Sequence, residues 1–228
     1  MVLATPIIMG YIPIGFAYGV LAQQAGLSVR NILLMSLIVY AGSSQLIAVG
    51  LFAAGTPALS VILTTFVVNL RHMLMSAALS PYLKGWRKHE LAAFAYELTD
   101  ESFAVHVTRF AEDMPPKAEV FAINFTAQIS WIFGSWLGTV AGQLITDVRP
   151  LALDYALPAM FIALLMMQIK NNVQIVVAIA TGLLAVSLTL AGLGHWTAIL
   201  ATLIGATLGV ILQKKEDSQR IERSQTDF

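Results

Sequence analysis

Residues 90–110 read ELAAFAYELTDESFAVHVTRF. The stretch is long enough to cross a bilayer, because about 20 helical residues span the hydrocarbon core. It nevertheless carries Glu90, Glu97, Asp100, Glu101, His106 and Arg109. Whether it crosses decides the topology of the whole chain.

The surroundings leave no doubt that a bilayer is involved. Seven apolar segments flank the stretch, at 2–24, 32–54, 58–82, 120–145, 151–169, 172–192 and 195–213. Of the 228 residues, 57% are hydrophobic and 11% charged, with a mean hydropathy of +0.76. A soluble domain carries about 25% charged residues, so a water-soluble surface could not be assembled from this chain. The apolar runs are continuous and lack the period-two alternation of a membrane barrel. The fold class is therefore an all-α polytopic membrane protein. A net charge of zero points to no nucleic acid partner, and the lipid bilayer is the surrounding medium. There are no cysteines, which excludes disulfides and thiol chemistry. The first apolar stretch contains Pro6 and Pro13 and lacks a basic leader, so it reads as a span and not as a cleaved signal.

Lysines and arginines arbitrate the topology, since cytoplasmic loops are enriched in them. If 90–110 crosses, five basic residues face one side and seven the other. If it does not, Arg30, Lys84, Arg87, Lys88, Arg109, Lys117, Lys170, Lys214, Lys215, Arg220 and Arg223 share a side, opposed only by Arg149. The second pattern is the biased one. It predicts about seven transmembrane helices, the amino terminus outside and the carboxy terminus in the cytoplasm, with 90–110 a re-entrant or interfacial helix on the cytoplasmic side. The membrane domain then covers 1–213, and 214–228 is a polar cytoplasmic tail, disordered or a short surface helix.

GFAYGVLA (15–22) and GSWLGTVA (134–141) share Gly, Gly and Ala at the same spacing, offset by 119 residues. The offset also lays 32–54 over 151–169 and 58–82 over 172–192. Units 2–82 and 120–192, separated by a linking segment 84–117 that does not cross, have opposite orientations. This is the inverted three-helix repeat of many secondary transporters. Small residues recur in any membrane helix, so coincidence is the competing explanation.

Three stretches could carry chemistry. The first span, TPIIMGYIPIGFAYG (5–19), holds two prolines and three glycines. Proline removes a backbone donor and glycine frees the backbone, so a broken helix around Pro13 and Gly15 is one expectation. Half-helix ends and bare carbonyls at a break suit a zwitterion. A simple kink packed on a neighbour is the equal alternative. In YAGSSQLI (40–47), Ser43, Ser44 and Gln45 fall near mid-depth, where hydroxyls and an amide need partners; Gly42 reads as a close-packing position.

The third stretch is NLRHMLMS (69–76), in the middle of an apolar run. An arginine there costs roughly 2.5–3.5 kcal/mol even on the gentler insertion scale. Arg71 must face protein or water and find an acceptor, and TDE (99–101) offers two adjacent carboxylates. Arg71 is expected to pair with Asp100 or Glu101, with 90–110 tucked into the bundle. His72 is a titratable neighbour, and Asn69 a polar group that needs a partner. A fixed ion pair that only sets helix register is the competing reading. Asp154 reads as a helix cap. The four histidines show no ligand spacing, so no metal is expected and no cofactor is implied. No HExxH, GxSxG or phosphate loop is present, which argues against an enzyme.

Taken in order, PIIMGYIPIGFAYG, YAGSSQ, NLRHMLMSAALSPYL, ELTDESFAV and LDYALPAMFIALL resemble the AzlC family, the large subunits of two-component branched-chain amino acid exporters. The resemblance runs from residue 6 to about 210, and departs at the amino terminus, where family members have more chain before the first span. It implies a cytoplasmic-membrane permease that exports valine, leucine, isoleucine and often methionine with a small, hydrophobic AzlD-type partner. On that reading Pro13, Gly15, Ser43, Ser44, Gln45 and Asn69 are candidates for the amino acid's backbone groups, and Phe16, Leu46 and Met75 for its side chain. Arg71, His72, Asp100 and Glu101 are the candidates for proton coupling: protonating a TDE carboxylate would weaken its hold on Arg71 and bias inward- against outward-open states. A non-transporting scaffold and a passive solute channel remain as alternatives.

Overall fold

The computed structural model describes residues 4–145, 150, 152, 155, 158–159, 162, 165–166, 169, 171–193 and 196–226, and all regular elements among them are helical. The span read at 151–169, with Asp154, therefore falls largely outside the described residues, as do Arg149, Lys170 and His195. The chain divides into two compact units, residues 1–162 and 163–228.

In the first unit, α1 (Thr5–Gln24) and α7 (Lys117–Gly142) form the central pair. Their glycines explain why. A Cβ on Gly15 would lie 3.0 Å from the Trp131 carbonyl oxygen, and one on Gly134 would lie 2.6 Å from that of Ile12. Gly19 and Gly138 sit as tightly, against the Ser135 and Phe16 carbonyls. Backbone thus rests on backbone, a crossing only glycine allows. The two octapeptides that match in sequence are the two that meet.

The helix break expected in the first span is not there. α1 is continuous through Pro13, which lies on an exposed face; a proline there forfeits one hydrogen bond without meeting a neighbour. The break occurs in the second apolar segment, whose two helical halves are each too short to cross a bilayer. α2 (Val29–Leu34) passes into a π turn (Met35–Val39), Tyr40 adopts a left-handed conformation at φ 41°, and α3 (Gly42–Ala53) starts afresh. The Tyr40 amide reaches back five residues to the Met35 carbonyl at 3.1 Å. Leu37's carbonyl accepts instead from the Tyr96 hydroxyl and from Gln128 Nε2 (3.3 Å). Backbone groups freed at membrane depth must be met by protein, and the neighbouring helices supply those partners.

A closed ring of hydrogen bonds pins this break to α7. Trp131 Nε1–H (3.1 Å) and the Ala41 amide (3.3 Å) donate to Gln45 Oε1. Gln45 Nε2 donates to Ser36 Oγ (3.4 Å), Ser36 to Ser135 Oγ (2.9 Å), and Ser135 to the Trp131 carbonyl (2.8 Å). Gln45, Ser36 and Ser135 are fully buried, and their mutual bonding is what makes that burial tolerable.

α4 (Ala58–Leu79), extended by a 3₁₀ turn (Ser80–Leu83), lies at the edge. It turns Leu70, Met73 and Leu74 outward, while Arg71 and His72 line an internal cavity.

The charged stretch 90–110 forms two short helices, α5 (Lys88–Glu97) and α6 (Asp100–Glu112), with extended backbone at Leu98 and Thr99 between them. At 1.5 Å per residue neither reaches across a bilayer. Both outer ends meet the start of α7: Glu90 binds Lys117 at 2.5 Å, and Arg109 lies 3.4 Å from Glu119. The tip, meanwhile, reaches α1 and α4. This is a re-entrant hairpin, entering and leaving on one side. Along its length it is packed through a cluster of Leu79, Leu83, Phe94, Leu98, Phe110 and Val120. Its turn is fixed by Thr99 and Ser102, where the Thr99 amide donates to Ser102 Oγ at 2.9 Å. Because the chain has no cysteine, single cysteines at His89 and Asp113 test the geometry cleanly. Both are expected to react with an impermeant maleimide from the same side of sealed vesicles. Opposite-side labelling would mean that the stretch crosses.

In the second unit, α8 (Asn172–Leu190) and α9 (Trp196–Thr226) run antiparallel. Gly205 packs on Thr181, Gly209 on Val177, and Asn171 Nδ2 lies 3.4 Å from Gln213 Oε1. The polar tail continues α9 as helix through Thr226.

Candidate functional site

The break in the second apolar segment and the tip of the hairpin face each other. Between them lies a cavity lined by Tyr11 and Ile14 of α1, Ala41, Gly42 and Ser43, Arg71 and His72 of α4, Thr99, Asp100 and Glu101, and Trp131 of α7. It is tight, about 20 Å³, which is room for about one water.

Arg71 is its centre. Nη1 lies 2.9 Å from Asp100 Oδ2, and Nη2 donates to Ser43 Oγ. Nε is buried without a partner. The guanidinium thus joins the first turn of α3 to the first turn of α6. Both turns are electropositive ends of the helix dipole. α6 offsets its own with Asp100 and Glu101, whereas α3 has no side-chain cap at Ala41. Across the cavity the Tyr11 hydroxyl lies 2.6 Å from both Thr99 Oγ1 and Glu101 Oε2. Trp131 forms the roof, packed edge-on against Tyr11 (5.5 Å) and stacked near Tyr18 (5.8 Å), with Gly42 beneath it. A Cβ on Gly42 would come within 2.8 Å of the indole, so that glycine is a packing position.

Of the residues singled out from sequence, Ser43, Arg71, His72, Asp100 and Glu101 line this cavity. Pro13, Gly15, Ser44, Gln45 and Asn69 do not. Gly15 serves the α1–α7 crossing; Gln45 supports the roof from behind; the Ser44 hydroxyl bonds back to the Ala41 carbonyl at 3.0 Å. Asn69 Oδ1 is buried without a partner. Phe16, Leu46 and Met75 likewise lie outside the lining, where Ile14 and Trp131 supply the apolar surface. Sequence reading missed Tyr11, Thr99 and Trp131. A signal for Trp131 existed: Asn124, Gln128, Ser135 and Thr139 form a polar stripe at helical spacing, all buried, and Trp131 lies on it.

Lined by both charge signs at the meeting of interrupted helices, the site belongs to a polytopic helical membrane protein whose spans enclose a polar centre. The comparisons identify which. The family model described as AzlC protein matches residues 6–145. The inner membrane protein YgaZ of Escherichia coli K12 is 31% identical over 216 residues, covering 91% of this chain and 86% of that protein. A membrane protein of Archaeoglobus fulgidus is 33% identical over 210 residues, 91% of each. The branched-chain amino acid transport protein AzlC of Bacillus subtilis is 25% identical over 224 residues, 96% of this chain and 85% of that one. No solved structure matches. The chain belongs to the AzlC family and is a homologue of a branched-chain amino acid transport protein.

Proposed function

We propose that this chain is the permease subunit of an exporter of branched-chain amino acids, acting on valine, leucine, isoleucine and methionine in the cytoplasmic membrane beside a small AzlD-type hydrophobic subunit. The observation that carries the reading is the Arg71–Asp100 pair between two helix N-termini. A zwitterion exchanges with such a pair at no change in net charge. Its carboxylate takes Arg71 and the uncapped amides of Gly42 and Ser43; its ammonium takes Asp100; its side chain lies against Ile14 and Trp131. The cavity is too small for an amino acid as it stands, so binding requires the break at Tyr40–Ala41 or the hairpin tip to move. Protonation of a carboxylate at the tip loosens the hold on Arg71 and couples that movement to the proton gradient.

Topology belongs to this reading as well. The basic residues favour a carboxy terminus in the cytoplasm and a cytoplasmic base for the hairpin, and α1, which runs parallel to α7, starts on the side of that base. The inverted repeat of 2–82 and 120–192 gains no support from the α1–α7 crossing: Gly134 meets Ile12, Gly138 meets Phe16 and Gly142 meets Val20, so the two helices run parallel, where inversion requires opposite directions.

Cells loaded with a leucine-containing dipeptide provide the test. Leucine efflux is expected to rise, and to saturate, when this chain and its small partner are expressed together. No added efflux of leucine, valine or isoleucine would overturn the proposal in favour of a scaffold. Efflux that neither saturates nor responds to the proton gradient would favour a channel.

A further inference from the structure

Two buried oxygens outside the cavity lining have no hydrogen-bond partner. One is Glu97 Oε2, at the last residue of α5; the other is the Tyr40 hydroxyl, on the break of the second apolar segment. Tyr40 is 2% exposed. Buried polar atoms are rarely left unpaired, and each exception calls for a reason. Tyr40 also holds a left-handed φ of 41°, where a bulky residue is a real outlier. Strain of that kind costs roughly 1–3 kcal/mol and clusters at working sites. Here Tyr40 lies in the same buried cluster as Tyr11, and Tyr96, next to Glu97, donates to the Leu37 carbonyl, which brings the end of α5 onto the break.

We infer that Glu97 is a proton-relay carboxylate that loads Glu101 through the hydroxyls of Tyr40 and Tyr11, from the side on which the hairpin enters. The inference rests on the proton-coupled reading above. The path is continuous in chemistry. Glu97 lies seven residues along α5 from the hairpin's base at Glu90, about 10 Å of helix. It is half-buried, so it keeps some access while Oε2 is sealed inward. Tyr11 already lies 2.6 Å from Glu101.

The step balances as a chain of hops. Glu97–COOH gives its proton to the Tyr40 oxygen as Tyr40 passes its own to Tyr11, and Tyr11 passes its own to the Glu101 carboxylate. Both phenols end neutral, Glu97 is ionised and Glu101 is protonated. Neither Glu97 Oε2 nor the Tyr40 hydroxyl has a hydrogen-bond partner, so the first two hops need bridging waters or a small approach of the hairpin tip, and only the third, from Tyr11 to Glu101, is already in contact. The titratable and charged groups around the path are Tyr11 on α1, Arg71 and His72 on α4, Tyr96 beside Glu97, and Asp100 and Glu101 on α6. Among the described residues no cation is ion-paired with Glu97, so its proton is not locked out by a fixed pair.

The test uses membrane vesicles carrying the full chain with its small partner, and two assays. Leucine counterflow moves substrate without net proton movement, whereas leucine transport driven by an imposed pH gradient requires it. Glu97→Gln and Tyr40→Phe are each expected to cut gradient-driven transport by at least about tenfold while counterflow stays within about twofold of wild type. Glu97→Asp is expected to recover part of the loss, with a shifted pH profile. Wild-type gradient-driven rates and pH profiles in both variants would overturn the inference alone. So would equal loss of counterflow and gradient-driven transport in both, because that is what a structural role produces. A wild-type protein that transports leucine with no response to the gradient would instead overturn the coupling reading, and this relay with it.

Discussion

Gly138→Ala is expected to cost the protein about 3 kcal/mol or more, at the upper end of what one inserted methyl group costs in a packed core. The added Cβ would strike the Phe16 carbonyl oxygen, with the Phe16 carbonyl carbon at 2.7 Å and its Cα at 2.9 Å. These are backbone atoms in mid-helix, which cannot swing aside as a side chain can. α1 and α7 would have to separate along their whole crossing. Gly19→Ala meets the Ser135 carbonyl and the Thr139 amide (2.7 Å), so it should behave alike. The separation would also draw Trp131 away from Gln45 and open the roof of the cavity. In detergent each variant is expected to melt about 10 °C or more below wild type. Gly10→Ala and Gly50→Ala are the controls. Nothing lies within 4 Å of either site, and alanine improves helix propensity there by about 1 kcal/mol. Equal melting of all four variants would mean that α1 and α7 do not cross on these glycines.

The same glycines show where sequence reading succeeds and where it stops. Arg71 and the TDE carboxylates were legible because a charge in an apolar segment stands out and must be answered. The hairpin was legible because basic residues divide unevenly once it is kept on one side. By contrast, the sequence offers a break in the first span, with a simple packed kink as the equal alternative, because Pro13, Gly15 and Gly19 are the usual marks of an interrupted helix. In the fold the prolyl ring faces outward and the glycines serve a close crossing, so α1 needs no break. The interruption falls at Tyr40–Ala41, with no proline near it. It is held by partners that come from far along the chain: Tyr96 and Gln128 on the Leu37 carbonyl, Trp131 on Gln45 and Ser135 on Ser36. No local pattern encodes a break that only tertiary contacts can satisfy. Trp131 escaped notice for a related reason, because a tryptophan in a membrane helix reads first as an interfacial anchor. Its buried polar neighbours on α7 place it inside.

Replacing Arg71 separates a coupling pair from a structural one. Arg71→Gln removes the charge that Asp100 and Ser43 share and leaves a half-buried carboxylate unanswered. The pair is half-buried, so the stability cost falls short of the about 3–5 kcal/mol of a fully buried pair; with the group proposed to receive the substrate's carboxylate gone, leucine counterflow per copy in the membrane is expected to fall at least about a hundredfold. Arg71→Lys keeps the charge but not the fork that reaches Ser43 and Asp100 together, so it should retain more activity than the glutamine variant. The decisive case is the double variant Arg71→Gln with Asp100→Asn. Both charges are then gone, no carboxylate of the pair is stranded, and stability is expected to recover most of what Arg71→Gln lost. If the pair only fixes the hairpin against α4, transport should recover with it. If Arg71 receives the substrate's carboxylate and Asp100 its ammonium, the double variant should be well folded and still inactive. A stable, inactive double variant would place the chemistry of recognition on this pair. A stable, active one would move it elsewhere in the cavity.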